Sequence, residues 1–310
     1  MKITPYAPVV DATWPRPLVS GDRVALVSPA GPPDLDRVAR GIELLEGWGL
    51  QVSHEPGERD GFLAASDRDR MRSVQRAFDD PEVRAVLCTR GGYGSQRIVD
   101  DLNVDGFVAR RAAFVGFSDT TALHAKLNQA GLATFYGPPL AWDAQRNGAV
   151  ALESLKDALF SRAAAAVSAD PTEVSVTVTT QGVAEGLLVG GNLSILGACI
   201  GTATQIDTRG RVLFFEEVNE PFRKVDRTLT QLSRAGLLED LAAVVIGQLT
   251  DCSSNPGDQT MADVLRSRVG GRGVPVLAGI PAGHGQDQRM IPLGAKVVVD
   301  ASAGELRWLV

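Results

Sequence analysis

Along its first 130 residues the chain repeats one pattern: a short apolar run that stops at a turn of small residues, with helical stretches between the runs. Val24-Ala-Leu-Val27 enters the turn Ser28-Pro-Ala-Gly-Pro-Pro33. Asp34 then opens a helical pattern with Leu35, Val38, Ile42, Leu45 and Trp48 on one face and Gly49 as its stop. Leu50 to Ser53 reads as the next strand, and Ser66 precedes an amphipathic helix through Phe78. Val83 to Cys88 runs into Arg90-Gly-Gly-Tyr-Gly-Ser95, and Ala112 to Phe117 runs into Ser118-Asp-Thr-Thr121, which opens a helix through Leu127. Runs this short suit buried strands rather than helices. Alternating with amphipathic helices, they predict a mostly parallel sheet covered by helices.

The pattern changes between 146 and 182, where Ala163 to Ala166 and the β-prone Val174-Ser-Val-Thr-Val-Thr-Thr180 read as a connecting segment. Beyond it, strands are expected at Glu185–Val189, Arg211–Phe215, Ala242–Ile246, Val274–Ala278, Lys296–Val299 and Glu305–Leu309, with helices at Asn192–Cys199 and Pro221–Leu232. The expected architecture is α/β. An N-terminal domain (1–145) has a mostly parallel sheet flanked by helices. A linker (146–182) leads to a smaller, β-rich α/β C-terminal domain (183–310), with a cleft between the two.

Charge and cysteine usage exclude several classes. Among 310 residues, 31 Lys and Arg stand against 37 Asp and Glu, a net charge of −6, which is the wrong sign for a nucleic-acid footprint. Cys88, Cys199 and Cys252 are isolated and no H-x-x-x-H occurs, so neither a disulfide framework, a metal site nor a cofactor is expected. No apolar stretch reaches the roughly 20 residues of a membrane span. The first twenty residues hold Pro5, Pro8, Pro15 and Pro17 and no apolar leader, so a cytoplasmic location is expected.

A few residues carry possible chemistry. Ser118 sits where a strand turns into a helix. There it either caps the helix or presents its hydroxyl beside backbone N–H groups that favour an oxyanion. The flanks, Gly116-Phe-Ser-Asp-Thr120, are not a G-x-S-x-G elbow. Of three histidines, His54 reads as surface. His124, six residues beyond Ser118 on the same helix, points away from it and reads as structural. His284, between two glycines, is on a loop, where functional residues concentrate. Glu216 and Glu217 end an apolar strand, and because neighbouring strand residues face opposite sides, at most one should enter a given cleft. The turn after Val83–Cys88 lacks P-loop lysine and dinucleotide spacing, but its backbone N–H groups suit a developing anion.

Together, Arg90-Gly-Gly-Tyr-Gly-Ser-Gln-Arg97, Val115-Gly-Phe-Ser-Asp-Thr-Thr-Ala-Leu123, Leu213-Phe-Phe-Glu-Glu-Val-Asn-Glu-Pro221 with Val225-Asp-Arg227, and Gly283-His-Gly285 resemble the LD-carboxypeptidase family of serine peptidases, the murein tetrapeptide carboxypeptidases. Gly190-Gly-Asn-Leu-Ser194 and Ile246-Gly-Gln-Leu-Thr-Asp-Cys252 also look like family segments. The resemblance implies a triad of Ser118 as nucleophile, His284 as base and Glu216 as acid, with Glu217 the competing choice for the acid. It implies oxyanion donors in the N–H groups of Gly92 and Asp119. The implied substrate is a murein peptide cut before its terminal D-alanine, and the implied assembly is a homodimer. Arg90, Tyr93, Arg223 and Arg289 are candidate substrate contacts by position. Two other readings stay open: a related self-immunity hydrolase of peptidyl-nucleotide antibiotics, and a non-catalytic α/β binder of small peptides.

Overall fold

The apolar runs of the first half lie side by side in a computed structural model that describes residues 12–138, 144–161, 165–255 and 257–309. Strands β1 (Arg23–Val27), β2 (Gln51–His54), β3 (Val83–Cys88), β4 (Ala113–Gly116) and β5 (Thr134–Tyr136) form a parallel array in the order β5-β4-β3-β1-β2. Helices α1 (Leu35–Gly47), α2 (Asp67–Asp79), α3 (Asp105–Arg110) and α4 (Thr121–Gln129) accompany it. Asp34 and Ser66 cap α1 and α2 by accepting backbone N–H groups of the first turn, as their positions predict. The strand order reverses between β1 and β3. In open α/β sheets that reversal opens a crevice at the carboxyl ends of the strands, where ligands bind.

The stretch read as a linker is structured. It holds α5 (Ala144–Phe160) and β6 (Ala166–Ser168). Leu155 and Leu159 of α5 are buried with Leu26, Leu87 and Val115 of the first sheet. Val174–Val178, β-prone by composition and read as part of the connecting segment, forms a 3-10 helix that buries Ser175 and Val178.

The second half builds β7 (Val183–Asn192), α6 (Leu193–Ala198), β8 (Val212–Val218), α7 (Phe222–Arg234), β9 (Ala243–Thr250), α8 (Met261–Arg268) and β10 (Val276–Ala278). The strands run parallel in the order β10-β9-β8-β7. The chain then returns to the first sheet, where β11 (Ile291–Leu293) adds antiparallel to β5. Finally β12 (Lys296–Asp300) and β13 (Glu305–Trp308) extend the second sheet antiparallel beyond β7, with β6 at its edge. The first sheet is thus mostly parallel and the second mixed. One core spans both, joining Phe117, Tyr136 and Ile291 to Leu188, Phe214, Val245 and Leu277. Among the described residues no helix is long and apolar enough to cross a membrane.

A buried arginine braces the carboxyl edge of the first sheet. Arg70 is 2% exposed and its guanidinium donates to Ala65 O (3.1 Å), Gly94 O (2.9 Å), Pro29 O and the Asp67 carboxylate. A charge removed from water persists only with such full pairing. Its effect is to tie the turn after β1, through Pro29, to the turn after β3, through Gly94.

Candidate active site

Strand β4 ends at Gly116, and the next residues reverse direction so sharply that Ser118 adopts φ +56°. An L-residue in this left-handed region carries roughly 1–2 kcal/mol of strain. Ser118 does not hold a cap position. Phe117 and Thr120 occupy the cap positions, Thr120 Oγ1 donates to Phe117 O (3.0 Å), and Thr121 Oγ1 donates to Ser118 O (2.7 Å). The turn after β3 presses on this elbow. A Cβ at Gly91 would stand 2.7 Å from Ser118 Cβ and 3.1 Å from its Oγ, so only glycine lets that backbone lie against the serine. Asp119 locks the two turns: its carboxylate accepts Ser95 N–H (2.8 Å) and its carbonyl accepts Ser95 Oγ–H (2.6 Å). Burial raises the Asp119 carboxyl above its usual range, against the Ser95 hydrogen bonds that lower it.

The second half supplies a carboxylate–imidazole pair. Glu216, near the end of β8, is fully buried, and its Oε2 lies 2.7 Å from His284 Nδ1. His284 is 9% exposed, and its ring lies 4.3 Å, centroid to centroid, from the ring of Phe117, the residue before Ser118. No hydrogen bond joins Ser118 Oγ to the imidazole in this structure; the serine and the ring are neighbours through Phe117. Glycine at 247 makes the approach of the histidine loop possible, since a Cβ there would meet Ala282 O at 2.2 Å and Glu216 Cβ at 3.1 Å. Gln248 then holds the loop: its N–H donates to Ala282 O (2.9 Å), its Oε1 accepts Gly285 N–H (2.9 Å) and its Nε2 donates to Gln286 O (2.9 Å).

Glu217 goes elsewhere. Its Oε2 accepts the Ser194 N–H (3.0 Å) and hydroxyl (2.6 Å) in the first turn of α6, and its Oε1 accepts its neighbour's Val218 N–H (3.0 Å). Both glutamates are nonetheless buried, and Asn192 Nδ2 donates to each, at 3.1 Å to Glu216 Oε1 and 3.0 Å to Glu217 Oε1. Strict alternation predicts only one acid on this side. The β8–β9 register shifts between Phe215 and Glu217, which relaxes that rule. Burial raises the Glu217 carboxyl, opposed by its Ser194, Val218 and Asn192 donors.

Matches to known proteins follow the same two halves. Residues 24–137 match the family model described as LD-carboxypeptidase N-terminal domain, and residues 185–299 match LD-carboxypeptidase C-terminal domain. The "Probable murein peptide carboxypeptidase" of Bacillus subtilis is 34% identical over 295 residues, covering 93% of this chain and 92% of that protein. The chain belongs to the LD-carboxypeptidase family. The crystal structure of muramoyltetrapeptide carboxypeptidase from Oxalobacter formigenes superposes with a TM-score of 0.79 at 27% identity, over 92% of this chain and 97% of that one. The microcin C7 self-immunity protein MccF of Escherichia coli, solved with aspartyl sulfamoyl adenosine, superposes with a TM-score of 0.84 at 23% identity, over 96% and 98% of the two chains. That last likeness is one of fold alone.

In this LD-carboxypeptidase family member the four candidate contacts occupy different places. Arg90 and Tyr93 flank the glycine turn. Arg90 Nη1 donates to Pro32 O (3.1 Å), and the Tyr93 ring, half-exposed, meets Phe62 edge-on at 5.5 Å. Arg289 follows the histidine loop, with its N–H on Pro281 O (2.7 Å), and Arg223 is exposed in the first turn of α7. Sequence reasoning missed two site residues. Asn192 lies inside the Gly190–Ser194 segment already singled out, so its signal was present but unassigned. Tyr136, on a three-residue strand, showed none.

His124 is fully buried, with Nδ1 2.7 Å from Thr134 Oγ1, and its ring is edge-on to Phe114 at 5.1 Å. It is structural, as its position on α4 predicts. Burial lowers its pKa from 6.5 to about 3. Above pH 6.5 the ring is neutral in both the folded and unfolded chain. Below it the unfolded chain takes up a proton that the native site refuses, so stability falls as pH falls, by about 1.4 kcal/mol per pH unit until about pH 3. Denaturant unfolding at pH 7.5 and pH 5.0 should show wild type losing about 2 kcal/mol more than His124→Asn. Equal losses in the two proteins would contradict this.

Proposed function

We propose that the protein is a serine-type LD-carboxypeptidase that removes the terminal D-alanine of a murein tetrapeptide, cutting the amide that joins it to an L-centre diamino acid. The observation that carries this reading is the buried Glu216–His284 pair, 2.7 Å apart, set beside a serine strained at φ +56°. The name of the Oxalobacter relative, a muramoyltetrapeptide carboxypeptidase, supports the substrate class. In this reading the nucleophile comes from the first sheet, after β4, and the acid from the second, on β8.

In this mechanism Ser118 Oγ attacks the scissile carbonyl while His284 Nε2 takes its proton. Glu216, on Nδ1, holds the tautomer and stabilises the imidazolium. The carbonyl oxygen becomes an oxyanion held by the N–H groups of Gly92 and Asp119. The Ser118 N–H is committed to Tyr136 Oη at 3.0 Å, which leaves the next residue to serve as donor. The D-alanine amine departs with the proton from His284, and water repeats the cycle on the acyl-enzyme. Arg90, Tyr93, Arg223 and Arg289 are the candidates for contact with the peptide and its terminal carboxylate.

Mass spectrometry of murein tetrapeptide incubated with the protein tests the reading, with loss of one D-alanine expected. Cleavage of an aminoacyl sulfamoyl nucleotide with the tetrapeptide left intact would instead place it with the self-immunity hydrolases. If neither is cut and a fluorophosphonate fails to label Ser118 in the folded protein, the chain is a binding protein.

A further inference from the structure

Tyr136 is fully buried at the end of β5. On one side its backbone is in register with Gly116, two residues before Ser118. On the other it is in register with Ile291, seven residues beyond His284. It therefore stands where the nucleophile strand and the continuation of the histidine loop meet. Its hydroxyl touches both halves of the site, accepting the Ser118 N–H at 3.0 Å and lying 2.7 Å from Glu216 Oε1.

The direction of these bonds follows from chemistry. An N–H can only donate, so the phenol oxygen accepts from Ser118. A carboxylate can only accept, so the phenol proton goes to Glu216. Burial and the neighbouring Glu216 charge raise the phenol far above its usual titration range, so it keeps that proton. Glu216 then has three partners among the described residues: Tyr136 and Asn192 on Oε1 and His284 on Oε2. The two donors on Oε1 turn the carboxylate so that Oε2 points at the imidazole.

We propose that Tyr136 is a positioning residue for the reaction, acting through Ser118 and Glu216. Its hydroxyl sets the distance between the nucleophile turn, carried by the first sheet, and the acid, carried by the second. The ring has a separate role as packing, against Phe117 at 5.5 Å and Phe214 at 5.6 Å. Tyr136→Phe separates the two, because it keeps the ring and deletes only the oxygen.

This inference rests on the proposed serine-hydrolase reading, so D-alanine release by wild type is established first; failure there sinks that reading, not the role of the tyrosine within it. Kinetics are then normalised to active sites titrated with a fluorophosphonate, so that partly unfolded protein does not count. Tyr136→Phe should lower kcat per titrated site by about 10- to 100-fold with KM within about threefold of wild type, because the loss is one of alignment rather than of substrate contact. A 3-fluorotyrosine at position 136, which retains the hydroxyl, should keep kcat within about threefold. The proposal is overturned if Tyr136→Phe retains kcat within about twofold, if its KM rises in proportion to the lost kcat/KM, or if the fluorinated residue loses as much as phenylalanine does.

Discussion

Ser118→Ala is expected to lower kcat for D-alanine release by about 10⁴- to 10⁶-fold while the protein stays folded. The loss is large because nothing else at the elbow can form the acyl-enzyme. The flanking hydroxyls of Thr120 and Thr121 are hydrogen-bonded to the carbonyls of Phe117 and Ser118. Adding His284→Ala should cost little more, since a base without a nucleophile has no proton to take. Intact-mass detection of the acyl-enzyme and release of D-alanine measure the effect, and thermal melting checks the fold. The same residue carries a stability test. At φ +56° a glycine is unstrained, so Ser118→Gly should be as inactive as the alanine variant, yet more stable than it by about 1 kcal/mol. Wild-type turnover by either variant would remove Ser118 from the mechanism.

Glu216→Gln is expected to lower kcat by about 10⁴-fold, and Glu217→Gln by no more than about 10-fold. The two acids are neighbours in sequence, are both buried and share Asn192, but only Glu216 reaches the imidazole. An amide at 216 either turns an N–H₂ toward His284 Nδ1, forcing the wrong tautomer, or keeps its oxygen there without the charge that stabilises the imidazolium. At 217 an amide N–H₂ would face donors from Ser194, Val218 or Asn192. The penalty there falls on folding, about 1–3 kcal/mol by denaturant unfolding. The reverse ranking in kcat would make Glu217 the triad acid and overturn the assignment of Glu216.

How much of this is legible in the chain varies with length and locality. β3 matches the apolar run Val83–Cys88 residue for residue, and Asp34 and Ser66 are the caps they look like, because runs and caps are encoded within a few neighbours. β5 and β11, three residues each, are too short to show a period, and their pairing joins residues more than 150 positions apart. The Val174–Thr180 stretch alternates like a strand, yet only Thr180 finds a strand partner, bridging to Val276, and the preceding residues coil into a 3-10 turn. The stretch around 155 reads as linker because its helix is recognisable only by what Leu155 and Leu159 cover.

By itself the amino-acid sequence determined the α/β architecture, the mostly parallel first sheet and the family, since each follows from local periodicity or from a short motif. The family resemblance points to Glu216, with Glu217 in competition. The contact of Glu216 with His284, the reason Ser118 is an elbow rather than a cap, and the bonds of Tyr136 to both Ser118 and Glu216 came only from the tertiary structure. Those facts depend on the direction in which side chains from distant strands point. That direction is set when two sheets pack over one shared core, and no window of neighbouring residues contains it.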